Sequence, residues 1–325
     1  VETGQNAEIQ SMTDWLATKG VSASTTCEGS DSQRVVMGMV MGCGETGSMS
    51  SQLFMSENMA MHHGMAIDFT CDPGVDFIRG MIPHHRGAVE MCNIVRATVT
   101  GDYSLLGAGV HTMPDGTVMA TSSMHVMPDG TMMSNTEGMH VMPDGTMMAD
   151  AEMQALGPAP APRELDPFIA SLCSAIEAAQ TTEITAMEGW LSDQGLVAEA
   201  PCLPEEAPEG GGGMEMMMGC GQTDCTSTSM YMAENMAMHQ GMAIEFTGDP
   251  EIDFVLGMIP HHEGAVEMCA IARQTSGTPN GRGGENIPAL DTFIDTLCTD
   301  VETGQNAEIQ SMTDWLATKG VSAST

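Results

Sequence analysis

Apolar positions recur at helical spacing in three long stretches, and the same three stretches return later in the chain. From about 51 to 69, Met55, Met59, His62 and Phe69 fall on one face, with Met61 and Met65 beside it. From about 73 to 97, the aligned positions are Phe77, Met81, His84, His85, Ala88, Met91 and Val95. Asp72 before Pro73 reads as an N-cap followed by proline at the first helical position. Pro83, about three turns in, predicts a kink. From about 166 to 194, Ile169, Leu172, Ile176, Glu183, Met187, Trp190 and Leu191 align, with Gly195 closing the helix. The Pro/Gly/Glu-rich stretch 201–213 (PCLPEEAPEGGGG) reads as a linker. The expected fold is mainly α: two helical-bundle modules, with a region of short β-hairpins inserted in the first.

The repeats set the organisation. Segment 53–98 matches the segment from about 229 at an offset of 177, and 166–195 matches 291–320 at an offset of 125. The offsets differ because the first module carries an extra stretch of about fifty residues before its last helix. Residues 1–25 are also identical to 301–325. Val301 continues a helical pattern that starts near Leu290 and includes Phe293, Ile294, Leu297 and Cys298, so Val1 begins in mid-helix. The chain therefore divides into 1–25, the end of a preceding repeat; 26–195, the first module with its insert at about 101–160; 196–320, the second module; and 321–325, the start of the next linker. The expectation is a window on a polymer of 300-residue repeats, against a cloning artefact or a local duplication.

Composition narrows the function. The 325 residues, about two domains' worth, carry 9 Lys+Arg against 44 Asp+Glu, a formal charge of −35. That excludes a nucleic-acid-binding face or an anionic-membrane binder, both of which need clustered cations. No apolar run approaches the roughly 18 residues of a membrane span. With no initiator Met or signal peptide, the chain reads as processed or as a piece of a longer one. Only 4% is aromatic, while there are 35 methionines. Ten cysteines without a C-x-x-C pair argue for disulfides in an oxidising, extracellular compartment. The absence of C-x-x-C-H excludes covalent c-type haem.

The methionines keep company with histidine. The insert repeats one phrase three times: HTMPDGTVM, MHVMPDGTMM and MHVMPDGTMM. Pro-Asp-Gly is a turn signal, so each copy is expected to fold back as a hairpin. These copies contribute His111, Met113 and Met119; then Met124, His125, Met127, Met132 and Met133; then Met139, His140, Met142, Met147 and Met148. Imidazole and thioether together suit Cu(I), and Ag(I) as a substitute. Packing alone is a poor account, since the insert has scarcely another bulky apolar side chain. On the helices, M-H-x-G-M and M-I-P-H-H-x-G-A-V-E-M-C supply Met59, Met61, His62, His63, Met65, Met81, His84, His85 and Met91 in the first module. The second supplies Met236, Met238, His239, Met242, Met258, His261, His262 and Met268. Adjacent His84 and His85 differ by about 100° around a helix, so one is expected inward and the other at the rim. Alternating Met37, Met39 and Met41, with Met214, Met216, Met217 and Met218, reads either as a further thioether site or as a hydrophobic lid.

The phrase MIPHHxGAVEM, the preceding TxDPxxDF, the upstream MHxxM and the downstream QxxEIxxMxxWL resemble the "domain of unknown function 305" family over both modules. The resemblance implies ferritin-like, secreted or periplasmic helical bundles, several of which bind copper through Met and His at the matching positions named above. Gln240 stands where the first module has His63, and the hairpins are additional. Cys92 and Cys173 correspond to Cys269 and Cys298, and Cys27 and Cys43 to Cys202 and Cys220, so four disulfides are expected within modules. Cys71 and Cys225 remain for a bridge between modules or between repeats. The competing reading makes some of these thiolates copper ligands.

The favoured function is a copper-binding extracellular filament that sequesters or stores copper, with adjacent copies of itself as partners and neither nucleic acid nor membrane insertion. The alternative is a purely structural filament in which metal is absent or only cross-links. An enzyme is not expected: the sole Glu-x-x-His, Glu137 to His140, lies between hairpins, whereas a di-iron bundle needs pairs of that motif on helices.

Overall fold

In the computed structural model, the described residues are Cys27, 34–36, 39–112, 161–198, 219–278 and 287–323, plus five short strands between 118 and 149. They are mainly helical, with six α-helices: α1 (Met49–Gly64), α2 (Pro73–Thr100), α3 (Pro167–Asp193), α4 (Thr226–Gly241), α5 (Pro250–Thr275) and α6 (Thr292–Thr318). Asp72 and Asp249 cap α2 and α5, each accepting from backbone N–H groups of the first turn, with proline following. Pro83 lies inside α2, where its ring packs on Gly64 of α1.

The helices form one continuous core in which α2 and α5 lie side by side. Each is flanked by the other two helices of its own half. Phe77 and Phe254 are fully buried at equivalent places. Trp190 of α3 stacks on Phe293 of α6, and Trp315 of α6 on Phe168 of α3, tying the two outer helices together.

The first helix ends at Gly64, earlier than its periodicity predicts, because Asp68–Phe69 is a strand (β3). Its partner is distant: Cys220–Gly221 (β10) pairs with it in parallel. Reciprocally, Met39–Gly44 (β2) pairs in parallel with Glu245–Phe246 (β11), and Arg34–Val36 (β1) adds antiparallel to β2. Each half's leading strand therefore belongs to the other half's sheet. Gly42 and Gly219, both at positive φ, let that strand pass beneath Phe246 and Phe69, where a Cβ would collide with the ring.

Between α2 and α3 lie three antiparallel strand pairs. Val110–Thr112 (β4) pairs with Val118–Ala120 (β5), Met124–Val126 (β6) with Met132–Ser134 (β7), and Met139–Val141 (β8) with Met147–Ala149 (β9). Residues 1–25, Met37, Met113, Met127, Met142, Cys202, and Met214 to Met218 lie outside the described residues. Among the described residues, no helix is long and apolar enough to cross a membrane.

Candidate metal centre

Six imidazoles are buried at or beside the contact between the halves, each at most 1% exposed. His84 and His261 meet across α2 and α5, ring centres 3.8 Å apart and planes tilted by 40°. Each donates its Nε2–H to the other's backbone carbonyl, at 2.9 and 3.0 Å. His62 and His239 lie 4.7 Å apart across α1 and α4. Each donates Nδ1–H to an asparagine oxygen on the opposite helix, Asn235 and Asn58, both at 3.0 Å. Those asparagines return the bond, their amide nitrogens donating to the His62 and His239 carbonyls. His85 and His262 turn to the outer helices and donate Nε2–H to Glu183 and Glu308, both at 2.7 Å.

Both histidines of the His-His pair are thus buried, and the expected rim position is corrected. The 100° between them points one at α5 and the other at α3, and α2 has a neighbour on each side.

In every one of these six rings the second nitrogen is buried and has no hydrogen-bond partner: Nε2 of His62 and His239, Nδ1 of His84, His85, His261 and His262. Each N–H is committed to an acceptor, so in the neutral ring the remaining atom carries a lone pair. A buried unsatisfied acceptor costs roughly 1–3 kcal/mol, and packing gives no return on six of them. Metal-ligating histidines have this same arrangement, one nitrogen donating to a carboxylate or carbonyl and the other open. Burial pushes His62 down to about 4 and His239 to about 3. Burial, then neighbouring imidazoles, hold His84 and His261 well below the usual histidine range. These rings are neutral at pH 7, the form that ligates metals.

Thioethers line the same region. Met81 and Met258 are fully buried; Met61, Met65, Met91, Met238, Met242 and Met268 are nearly so. Met91 reaches across to Gly257 of α5 and Met268 to Gly80 of α2, one turn before His261 and His84. Met61 lies over Gly87 and Met238 over Gly264, where a Cβ would stand 2.8 Å from each sulfur. Met59 and Met236 are half-buried, as is His63, whose ring centre is 6.3 Å from that of His62. Met41 is buried at 3% within β2. In the strand pairs, His111, His125 and His140 stand in register with Met119, Met133 and Met148.

Periodicity set Glu183 on the inward stripe without a role and missed Asn58, Asn235 and Glu308, the other groups that orient the rings. Asn58 and Asn235 sit in the repeated phrase ENMAMH. Glu183 and Glu308 sit in the repeated Q-x-x-E-I. Polar residues recurring inside an apolar stripe were the available signal.

Cysteine chemistry divides in two. Cys27 bonds to Cys43, and Cys71 to Cys225, the latter joining the halves. Cys220 is also disulfide-bonded, while Cys202 lies outside the described residues. Cys92, Cys173, Cys269 and Cys298 are free buried thiols, so the two expected core disulfides are not formed. Burial raises the Cys92 and Cys269 thiols well above the usual range, and the thiolate is the reactive form in disulfide chemistry. Among the described residues, the sole trio of His, Cys, Asp or Glu ligand atoms within 4.8 Å of one another is Cys71, Asp224 and Cys225. Its sulfurs are bonded to each other and offer no thiolate. A centre at the helix contact would therefore combine imidazole with thioether.

No curated protein and no solved structure matches the chain. The family model described as "Domain of unknown function (DUF305)" matches residues 160–283, which hold α3, α4, α5 and the histidines His239, His261 and His262.

Proposed function

We propose that this is an extracellular copper-binding protein that sequesters or stores the metal through buried Met/His sites. The observation that carries the reading is the set of six buried imidazole nitrogens without a hydrogen-bond partner, each ring oriented by a bond from its other nitrogen. His84 with His261, and His62 with His239, would hold the ion together with the neighbouring thioethers. Soft sulfur with neutral imidazole favours Cu(I), and Ag(I) in its place. The backbone register of histidine with methionine in the three strand pairs supports a further soft site in the insert. The charge of −35 would raise the local cation concentration. The disulfides fit an oxidising compartment.

The test is metal analysis of native material with denaturing mass determination on the same sample. Several copper atoms per 300 residues are expected, and His84→Ala with His261→Ala should lower that number. Material that is metal-free and takes up neither Cu(I) nor Ag(I) would overturn the reading. A second reading, a structural filament without metal, draws on the identity of 1–25 with 301–325. A mass far above 34.2 kDa would place the copies in one covalent array.

A further inference from the structure

We infer that the two core thiol pairs, Cys92 with Cys173 and Cys269 with Cys298, form a second class of metal site, each taking one soft monovalent cation between its sulfurs. The inference rests on the copper reading above and adds ligands of a different chemistry to it. Cys92 and Cys173 are fully buried neighbours on the packed helices α2 and α3, and not bonded. Cys269 and Cys298 repeat this across α5 and α6. Both pairs stay open in a molecule whose other described cysteines are disulfide-bonded.

Two neighbouring features fit a cation there. Arg96, paired with Glu177, acts electrostatically on both thiols of the first pair, and Arg273 lies correspondingly beside the second. A bis-thiolate complex of Cu(I) carries one net negative charge, which a guanidinium stabilises. Between each pair and the outer carboxylate lies a buried amide without partners: Gln180, 2% exposed, and Gln305, 3% exposed, each with both amide atoms unsatisfied. Gln180 is one turn from Glu183 and two turns from Cys173 on α3, so polar groups continue from the His85–Glu183 bond to the thiols. Binding follows Cu(I) plus two thiols giving a bis-thiolate copper anion and two protons, with no change of oxidation state.

The experiment uses the full chain without oxygen. Alkylation under denaturing conditions should label four thiols, and no labelling would overturn the inference. Cu(I) titration should then develop a near-ultraviolet thiolate-to-copper absorption saturating at two equivalents. Cys92→Ser with Cys269→Ser should abolish that absorption and lose two equivalents. X-ray absorption at the copper edge in the unaltered chain, with His84→Ala and His261→Ala as a second sample, covers a serine variant that fails to fold. In the histidine variant the sulfur share of the copper shell should rise as the nitrogen share falls, with the His62–His239 and insert imidazoles remaining. Copper bound without the absorption overturns this inference alone. The absorption present while the histidine variant binds as much copper as the unaltered chain supports the thiol sites and overturns the His84–His261 site.

Discussion

The corner before α2 and the corner before α5 are built alike and differ in one backbone hydrogen bond. Asp76 Oδ1 accepts from Thr70 N and Oγ1, both at 2.8 Å, and Asp253 Oδ1 from Thr247 N and Oγ1, both at 2.7 Å. Asp253 Oδ2 also accepts from Gly248 N at 3.2 Å, whereas Asp76 Oδ2 is buried without a partner. Burial raises both carboxyls, Asp76 to about 7 and Asp253 only to about 6. The residue after the threonine is left-handed in both halves, Cys71 at φ 65° and Gly248 at φ 79°. The second half meets that need with glycine. The first uses a cysteine held by its bond to Cys225, at a backbone cost of roughly 1–2 kcal/mol. The corners could diverge because the threonine–aspartate hydrogen bonds of each lie within its own half. At the helix contact the halves are equivalent because each side's hydrogen-bond partners belong to the other.

The comparison can be broken most forcefully in the core. Phe77→Ala and Phe254→Ala should each cost about 3–5 kcal/mol, with the two values close. Guanidinium chloride unfolding measures both, and a large difference would mean the halves are not equivalent in packing. Next comes pH in metal-free protein. His62, His239, His84 and His261 have folded values below the unfolded 6.5, so their stabilisation is lost as pH falls below 6.5. Asp76 and Asp253 are raised from 3.8, so theirs is lost as pH rises from about 4 to about 7. Glu57, raised to about 8, opposes the imidazoles in the same sense as the two aspartates. The four imidazoles still outweigh these three carboxyls, and stability should drop by about 1 kcal/mol from pH 6.5 to 5.5. Calorimetry across that range showing a rise would contradict this balance.

Glu183→Gln and Glu308→Gln each remove a carboxylate that orients a buried ring. Either should weaken copper affinity about 10- to 100-fold and by similar factors, read by competition with a Cu(I) chelator. The smallest effect sharpens the corner comparison. In a Cys225→Ser background, Cys71→Gly should regain about 1 kcal/mol and bring the Asp76 carboxyl down towards the about 6 of Asp253. Carboxyl resonances followed by NMR would show whether it moves.

Much of the helical frame was legible beforehand. The second and third helices match their periodicity to within a few residues, because Asp72 and Gly195 carry end signals that act locally, as does Asp166, which caps the third helix in the structure. The early end of α1 was not legible, since Phe69 leaves the helical pattern to pair with Gly221, far along the chain. The core cysteines show the same limit: the repeat made Cys92 and Cys173 the counterparts of Cys269 and Cys298, but sequence spacing carries no information on whether two buried thiols are bonded.

By itself, the sequence determined which residue types could do chemistry, that they recur as two related sets, and where most helices begin and end. These follow from composition, repetition and interactions within a few turns. The tertiary structure alone decided that His84 faces His261 while His85 faces Glu183, that Asn58 and Asn235 orient rings in the opposite half, and that each leading strand crosses to its partner. Those arrangements depend on which helices become neighbours. That choice is made by burying the apolar faces of all six helices at once, and no single stretch of the chain encodes it.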